Sequence, residues 1–329
     1  MRTINPDRID HKSMGFAALL ITVGVIWLLR NLNLISTDGV NVALSLWPLI
    51  LIAIGADLLL RKEYPHTSIV VTISIAVLVV LAALLAPRLG IGVLPTNTNT
   101  YTEALGEAQS AIINLYPSVG RVDIHAFETG DILFKATATT IGDVFFNVDG
   151  AHQRTIDFGQ KEVSTTGWYG PDRELAWDIA LTPNIPLNMT INTGVGGATL
   201  DFSKLNLTTL QLTAGVGNVD LILPPQENSY QVTVTRGVGD LDVHIHKNAD
   251  MDVTISDGIG DVVIELPDDA AVRVMITSGF GETHFPSWLE RLDAGTGDNE
   301  QIWQSSHFET AARQITLNID KGLGNLVIR

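Results

Sequence analysis

The sequence has no cysteine among its 329 residues. Disulfides, thiolate metal sites and a cysteine nucleophile are therefore excluded. The compartment stays open, because an oxidising one permits disulfides without requiring them. Positive charge is also scarce: 20 Lys and Arg face 36 Asp and Glu, a formal net charge of −16. A chain this acidic lacks the basic surface that phosphate contacts require, which excludes nucleic acid as a partner. What is abundant is apolar: 46% of the residues, with a mean hydropathy of +0.24. That composition is neither disordered nor fibrous and predicts membrane segments.

The two parts of the chain differ sharply. Residues 1–100 hold seven bases and five acids, a net +2, and residues 101–329 hold 13 bases and 31 acids, a net −18. The first part contains three apolar runs, predicting helices at about 14–33, 40–60 and 68–86. A crossing needs about 20 apolar residues. The second and third runs reach that length, and Arg30 can snorkel from the end of the first. Residues 1–87 thus read as a transmembrane anchor in the lipid bilayer, and 88–102 as a linker broken by Gly90, Gly92 and Pro95. Arg2, Arg8 and Lys12 in the tail and Arg61-Lys62 in the second loop put both in the cytoplasm. Three crossings then carry residues 103–329 to the extracytoplasmic side of the membrane.

This second part is a repeat. Gly194-Val195-Gly196, Gly215-Val216-Gly217, Gly237-Val238-Gly239, Gly258-Ile259-Gly260, Gly279-Phe280-Gly281 and Gly322-Leu323-Gly324 follow one another at steps of 21, 22, 21, 21 and 43. A fixed period of this size marks a repeat architecture, and the double last step predicts a diverged unit. Weaker copies at Gly120 and Gly142 leave an insertion at about 150–190. Strict alternation before and after each triplet, as in Leu241, Val243 and Ile245, predicts half-buried strands. Pro224-Pro225, Pro267 and Pro286 end the strands that follow. The glycines then make repeat turns, where positive φ is allowed. Val216, Val238, Ile259 and Phe280 between them are expected to point inward and stack. The fold class expected is a three-helix membrane region followed by an all-β domain. That domain is a β-solenoid of about 21-residue repeats or, alternatively, an antiparallel β-sandwich.

Two sets of residues carry a family resemblance. Leu46-Trp47-Pro48-Leu49-Ile50-Leu51-Ile52-Ala53-Ile54-Gly55, with Leu58-Leu59-Leu60-Arg61, resembles the LiaI–LiaF-type transmembrane region. Leu200-Asp201-Phe202-Ser203-Lys204-Leu205 and Asp257-Gly258-Ile259-Gly260-Asp261-Val262-Val263-Ile264-Glu265-Leu266-Pro267 resemble the toastrack-type (DUF4097/adhesin-like) repeat domain. The resemblance implies a regulator of a membrane sensor kinase that answers cell-envelope stress, and it carries over no catalytic residue.

Chemistry is sparse in the second part. His244 and His246 share a strand face, with Glu265 one unit after His244, but no third metal ligand is evident. The glycine triplets precede strands rather than helices and so fail as dinucleotide motifs. No enzyme activity, cofactor or metal is expected. Trp168 and Tyr169, set between Gly167 and Gly170-Pro171, are candidate partner contacts or an end cap. Trp177 alternates with Leu175, Ile179 and Leu181 as a core residue. Residues 286–292 predict a short covering helix. The function expected is envelope sensing or regulation, by contact with a sensor kinase or an envelope polymer; the alternative is a structural or adhesin-like surface module.

Overall fold

The structure is a computed structural model. It describes residues 96–329, apart from 129, 162–173, 227, 278 and 293–299, together with residues 24–25, 27–32, 74–75, 77–82 and 84–85. The chain divides into two compact units, Met1–Pro95 with Ser164–Arg173, and Thr96–Val163 with Glu174–Arg329. In the first unit, 24–25, 27–31, 74–75, 77–82 and 84–85 are helical, and the rest of the three predicted helices lies outside the described residues. Among the described residues no helix is long and apolar enough to cross a membrane.

The second unit is all-β. It opens with β1 (Thr96–Ala104), followed by β2 (Ser110–Tyr116) and β3 (Arg121–Ala126). An excursion follows through β4 (Ile132–Ile141), β5 (Val144–Asp149), β6 (Gln153–Gln160) and β7 (Ala176–Leu181). Strand pairs then succeed one another: β8 (Leu187–Val195) with β9 (Ala198–Asp201), β10 (Leu207–Val216) with β11 (Val219–Leu223), and β12 (Tyr230–Val238) with β13 (Leu241–Ile245). They continue as β14 (Met251–Ser256) with β15 (Val262–Glu265) and β16 (Val272–Thr277) with β17 (Thr283–His284). The chain ends through β18 (Leu289–Leu292), β19 (Glu300–Ser305), a 3-10 turn at Phe308–Thr310, β20 (Ile315–Asp320) and β21 (Leu326–Ile328).

Each pair sends one strand to each of two sheets. One sheet runs β1-β4-β7-β3-β9-β11-β13-β15-β21-β17, the other β18-β19-β16-β20-β14-β12-β10-β8-β2-β6-β5. Between units the pairing is parallel and in register: Leu200, Leu221, Val243, Ile264 and Ile328 stack across one sheet. Met189, Leu210, Val232, Val253, Leu317 and Val274 stack across the other. All of these are buried. Alternation thus delivers one apolar layer per sheet to a shared core, each such side chain contributing about 1.5–3 kcal/mol by burial.

Antiparallel strands flank one end of the first sheet and both ends of the second, and the first sheet's other edge is the short β17. β4 pairs with β7 and β1 with β4, and β5 pairs with β6. At the other end β19 pairs with β16 and β18 with β19. Sheet edges left open invite pairing with other chains, and these caps limit that. Behind the first cap Phe134, Phe146, Phe158 and Trp177 pack ring against ring, with Phe158 and Trp177 edge to face at 5.4 Å.

Several expectations change here. Residues 96–102, read as linker, belong to β1. The threonines there are β-branched, and Thr98 and Thr139 meet across the strands with hydroxyls 2.9 Å apart. The insertion at 150–190 contains β6 and β7, which stack in parallel on β2 and β3 as a further unit. Among the described residues the double last step holds no diverged repeat; it holds the antiparallel strands β18 and β19. Residues 289–292, expected in a covering helix, form β18, whose partner β19 satisfies its backbone. The last unit, β20 with β21, lies between β14/β15 and β16/β17 rather than at the end.

Candidate functional site

The glycine triplets stand at the corners where the chain leaves one sheet for the other, and their two glycines answer two requirements. The first is close approach. A Cβ on Gly237 would lie 2.5 Å from the carbonyl oxygen of Gly215 in the neighbouring unit. The second is conformation as well: Gly239 has φ +138°, and a Cβ there would stand 2.1 Å from the oxygen of Gly217. The same division holds at Gly194, Gly215, Gly258, Gly279 and Gly322 for approach, and at Gly196, Gly217, Gly260, Gly281 and Gly324 for positive φ. Corners without side chains let successive units meet backbone to backbone. Gly196, Gly217, Gly239 and Gly260 donate to the carbonyls of Val216, Val238, Ile259 and Leu323 at 2.8–2.9 Å.

The residues between the glycines do not point inward. Val195, Val216, Val238, Ile259 and Leu323 are 44–55% exposed, Val119 is 45% and Phe280 is 78%. The reason is a slip in alternation. In β12 the buried residues are Tyr230, Val232, Val234 and Arg236, and burial resumes at Leu241. The interval of five breaks the period of two, so the corner's middle residue faces out. Because the units are in register, the exposed side chains form one line in the order Val119, Val195, Val216, Val238, Ile259, Leu323, Phe280.

A polar ladder runs beside this apolar line, one residue past the second glycine of every triplet from Gly217 onward. Asn218 Oδ1 accepts the Asp240 N–H at 3.0 Å, and Asp240 Oδ1 accepts that of Asp261 at 3.1 Å. Asp261 Oδ1 accepts from Asn325 at 2.8 Å, and Asn325 Oδ1 from Glu282 at 3.1 Å. The side chains of Asp240 and Asp261 thus bind unit to unit.

A second set of polar groups lies inside, one residue before Gly237, Gly258 and Gly322. Arg236 Nε and Nη2 donate to Asp257 Oδ1 at 2.9 and 2.6 Å, with the two side chains 1% and 2% exposed. Lys321 is buried in the equivalent place and donates to the carbonyls of Gly281 and Glu282 at 2.8 and 3.1 Å. Burial holds its ammonium pKa below the usual lysine value, with Asp261 opposing that more weakly. None of these three residues stood out in the sequence. A comparison of the position before the six triplets, Thr193, Ala214, Arg236, Asp257, Ser278 and Lys321, carries the signal: opposite charges one repeat apart at Arg236 and Asp257.

On the outer face His244 and Glu265 are register partners, as their spacing predicted. His244 Nδ1 lies 2.6 Å from Glu265 Oε2, and its Nε2 is 3.6 Å from Asp220 Oδ1. Arg329 Nε donates to Glu265 at 3.1 Å. That hydrogen bond holds the Glu265 pKa below its ordinary value; burial opposes it, and His244 adds to the lowering. His246 is exposed, just past the end of β13. Among the described residues no group of three or more His, Cys, Asp or Glu side chains could hold a metal ion. Trp168 and Tyr169 lie outside the described residues. Trp177 is fully buried, its indole N–H donating to the Val119 carbonyl at 3.1 Å.

Units stacked in register behind glycine corners define a β-repeat protein. Residues 94–244 match the family described as the N-terminal domain of toast_rack, DUF2154, and residues 14–59 match the LiaI-LiaF-like transmembrane region. These are the two families that the sequence resembled. The chain is therefore a membrane protein carrying a β-repeat domain. No curated protein matches it. Among solved structures, a candidate cell adhesion protein from Clostridium sporogenes ATCC 15579 is 20% identical over 71% of this chain and 99% of that one, with a TM-score of 0.49. A candidate adhesin from Bacteroides fragilis NCTC 9343 is 16% identical over 72% and 99%, with a TM-score of 0.36.

Proposed function

We propose that this chain is a non-enzymatic regulator of the bacterial cell envelope. Its N-terminal region anchors it in the cytoplasmic membrane with the N-terminus inside. The β-repeat domain stands outside and answers envelope stress through contact with a membrane sensor kinase or an envelope polymer. The observation that carries this reading is the pairing, in one chain, of a LiaI-LiaF-like transmembrane region at 14–59 with a toast-rack match at 94–244. The polar groups that meet in the β-domain support a binding rather than a catalytic role, because they join neighbouring units: Arg236 to Asp257, Asp240 to Asp261, His244 to Glu265. The domain's architecture is a β-solenoid, supported by parallel register from β8 to β15. An antiparallel sandwich would pair successive strands within one sheet.

Two measurements test the reading. Protease added to intact protoplasts should digest residues 96–329 and spare the membrane region; full protection of the β-domain overturns the outside placement. Crosslinking in native membranes should then capture a sensor kinase. Capture of wall polymer alone assigns the domain to a structural or adhesive surface role instead.

A further inference from the structure

The exposed apolar line is a surface that the core does not account for. At about 4.8 Å per unit, Val119 to Phe280 span about 29 Å. One side chain wide, the line offers about 300 Å², within the range of the largest apolar patch on a typical monomer, which is often functional. Its chemistry narrows the occupant. A second copy of this chain is a poor fit, since a stable dimer buries about 800 Å² on each partner. Two such lines packed antiparallel would also bring the acidic flanks that hold Asp240, Asp261 and Glu282 together. An added β-strand is excluded at the corners, where the backbone of Val195, Val216, Val238, Ile259 and Leu323 is already bonded between units. The occupant must therefore dock through side chains.

A helix meets those conditions. Its pitch of about 5.4 Å is close to the spacing of the line, so each turn can seat one apolar residue between successive ridge side chains. About 19 residues would cover the full length. The flanks of the line are unlike. On one side, after Arg121 and Gly197, lie Asn218, Asp240, Asp261, Asn325 and Glu282, with three carboxylates; on the other lie the strand ends Thr213, Thr235, Ser256 and Thr277, with the single carboxylate Asp320. Complementary charge then belongs on one side of the helix and is positive. We infer that the ridge from Val119 to Phe280 is the docking site for an amphipathic helix of a partner protein, with its apolar stripe on the ridge and Lys or Arg facing the Asp240–Asp261–Glu282 ladder. This rests on the reading of the β-domain as one that acts by contact, and it supplies the surface.

The test uses the full chain in phosphatidylcholine nanodiscs and a 19-residue peptide with a Leu stripe flanked by Lys, beside the same peptide with Glu for Lys. The Lys peptide should bind at least tenfold more tightly than the Glu peptide, with an affinity that falls as salt rises. Val216→Ser, Val238→Ser and Ile259→Ser together should weaken it tenfold or more, with the thermal melt checking that the domain stays folded. Asp240→Asn with Asp261→Asn keeps the ladder's acceptor oxygens but should weaken the Lys peptide several-fold and flatten its salt dependence. Should the triple variant not fold, a photo-crosslinker in place of Val238 decides the matter: attachment to the Lys peptide is expected. Equal binding of the two peptides, undiminished binding by a folded triple variant, or crosslinks from position 238 only to lipid chains or to a second copy each overturn the inference. Protoplast digestion is independent of all these outcomes, so a failure of the ridge and a failure of the proposed topology are told apart.

Discussion

Arg236 and Asp257 form an ion pair almost wholly removed from water, 2.6 Å apart. Such a pair is held in place by the high cost of separating it. Burying two charges offsets much of their attraction, whereas removing one partner leaves an uncompensated charge inside. Asp257→Ala should therefore destabilise the β-domain by about 3–5 kcal/mol, while replacing both residues by well-packed apolar ones should cost far less. Equilibrium denaturation of the two variants checks this; equal losses would mean that packing, not charge, dominates the position. The pair also shows where reading residues one at a time fails. A lone Arg or Asp before a glycine looks like an ordinary surface charge. Only in-register stacking makes Arg236 and Asp257 neighbours, 21 positions apart in sequence.

At the level of strands, alternation was legible because period two is a direct consequence of the pleat. β13 shows it plainly, with Leu241, Val243 and Ile245 buried and Asp242 exposed. The corners were legible as glycine turns but not in their direction. Carrying the alternation through Gly237-Val238-Gly239 puts Val238 inside, whereas the turn shifts the phase by one and puts it outside. The outer face holds a strand-to-strand contact with its own pH dependence. Glu265, joined to Arg329 and His244, has a folded-state pKa below its ordinary 4.5. The unfolded chain therefore binds the proton more readily than the folded one. The carboxylate contributes stability above pH 4.5, and the contribution is lost as pH falls through the folded value. Glu265→Gln should melt below the wild-type chain at pH 7 and converge with it under acid. The gap is modest, because the side chain is 39% exposed and solvent screens it. A gap in melting temperature that stays constant from pH 7 to pH 3 would contradict the assignment.

For the whole molecule, sequence order and spatial order part at both ends. The repeat period correctly announced the units from 187 to 265, whose neighbours in sequence are neighbours in space. It could not announce that β20 and β21 insert between β14/β15 and β16/β17, since periodicity records a unit's shape and not its place in the stack. The consequence is mechanical. In a linear array each unit is stabilised by its two neighbours, so loss of a terminal unit frays one side only. Here the unit nearest the end of the sequence is interior. A chain ending at Gln314 lacks the strands that pair β14 with one face of β20 and β16 with the other. β15 and β17 lose β21 in the same way. The segment 272–305 should then detach as a block, with amide protection lost across β16 and lowered in β14 and β15, while β8 to β11 keep theirs. Hydrogen exchange by mass spectrometry, comparing this shortened chain with the full one, reads each strand separately. Retained protection in 272–277 would mean that β16 can close directly onto β14, and that the inserted unit is a replaceable layer rather than the joint between the two parts of the stack.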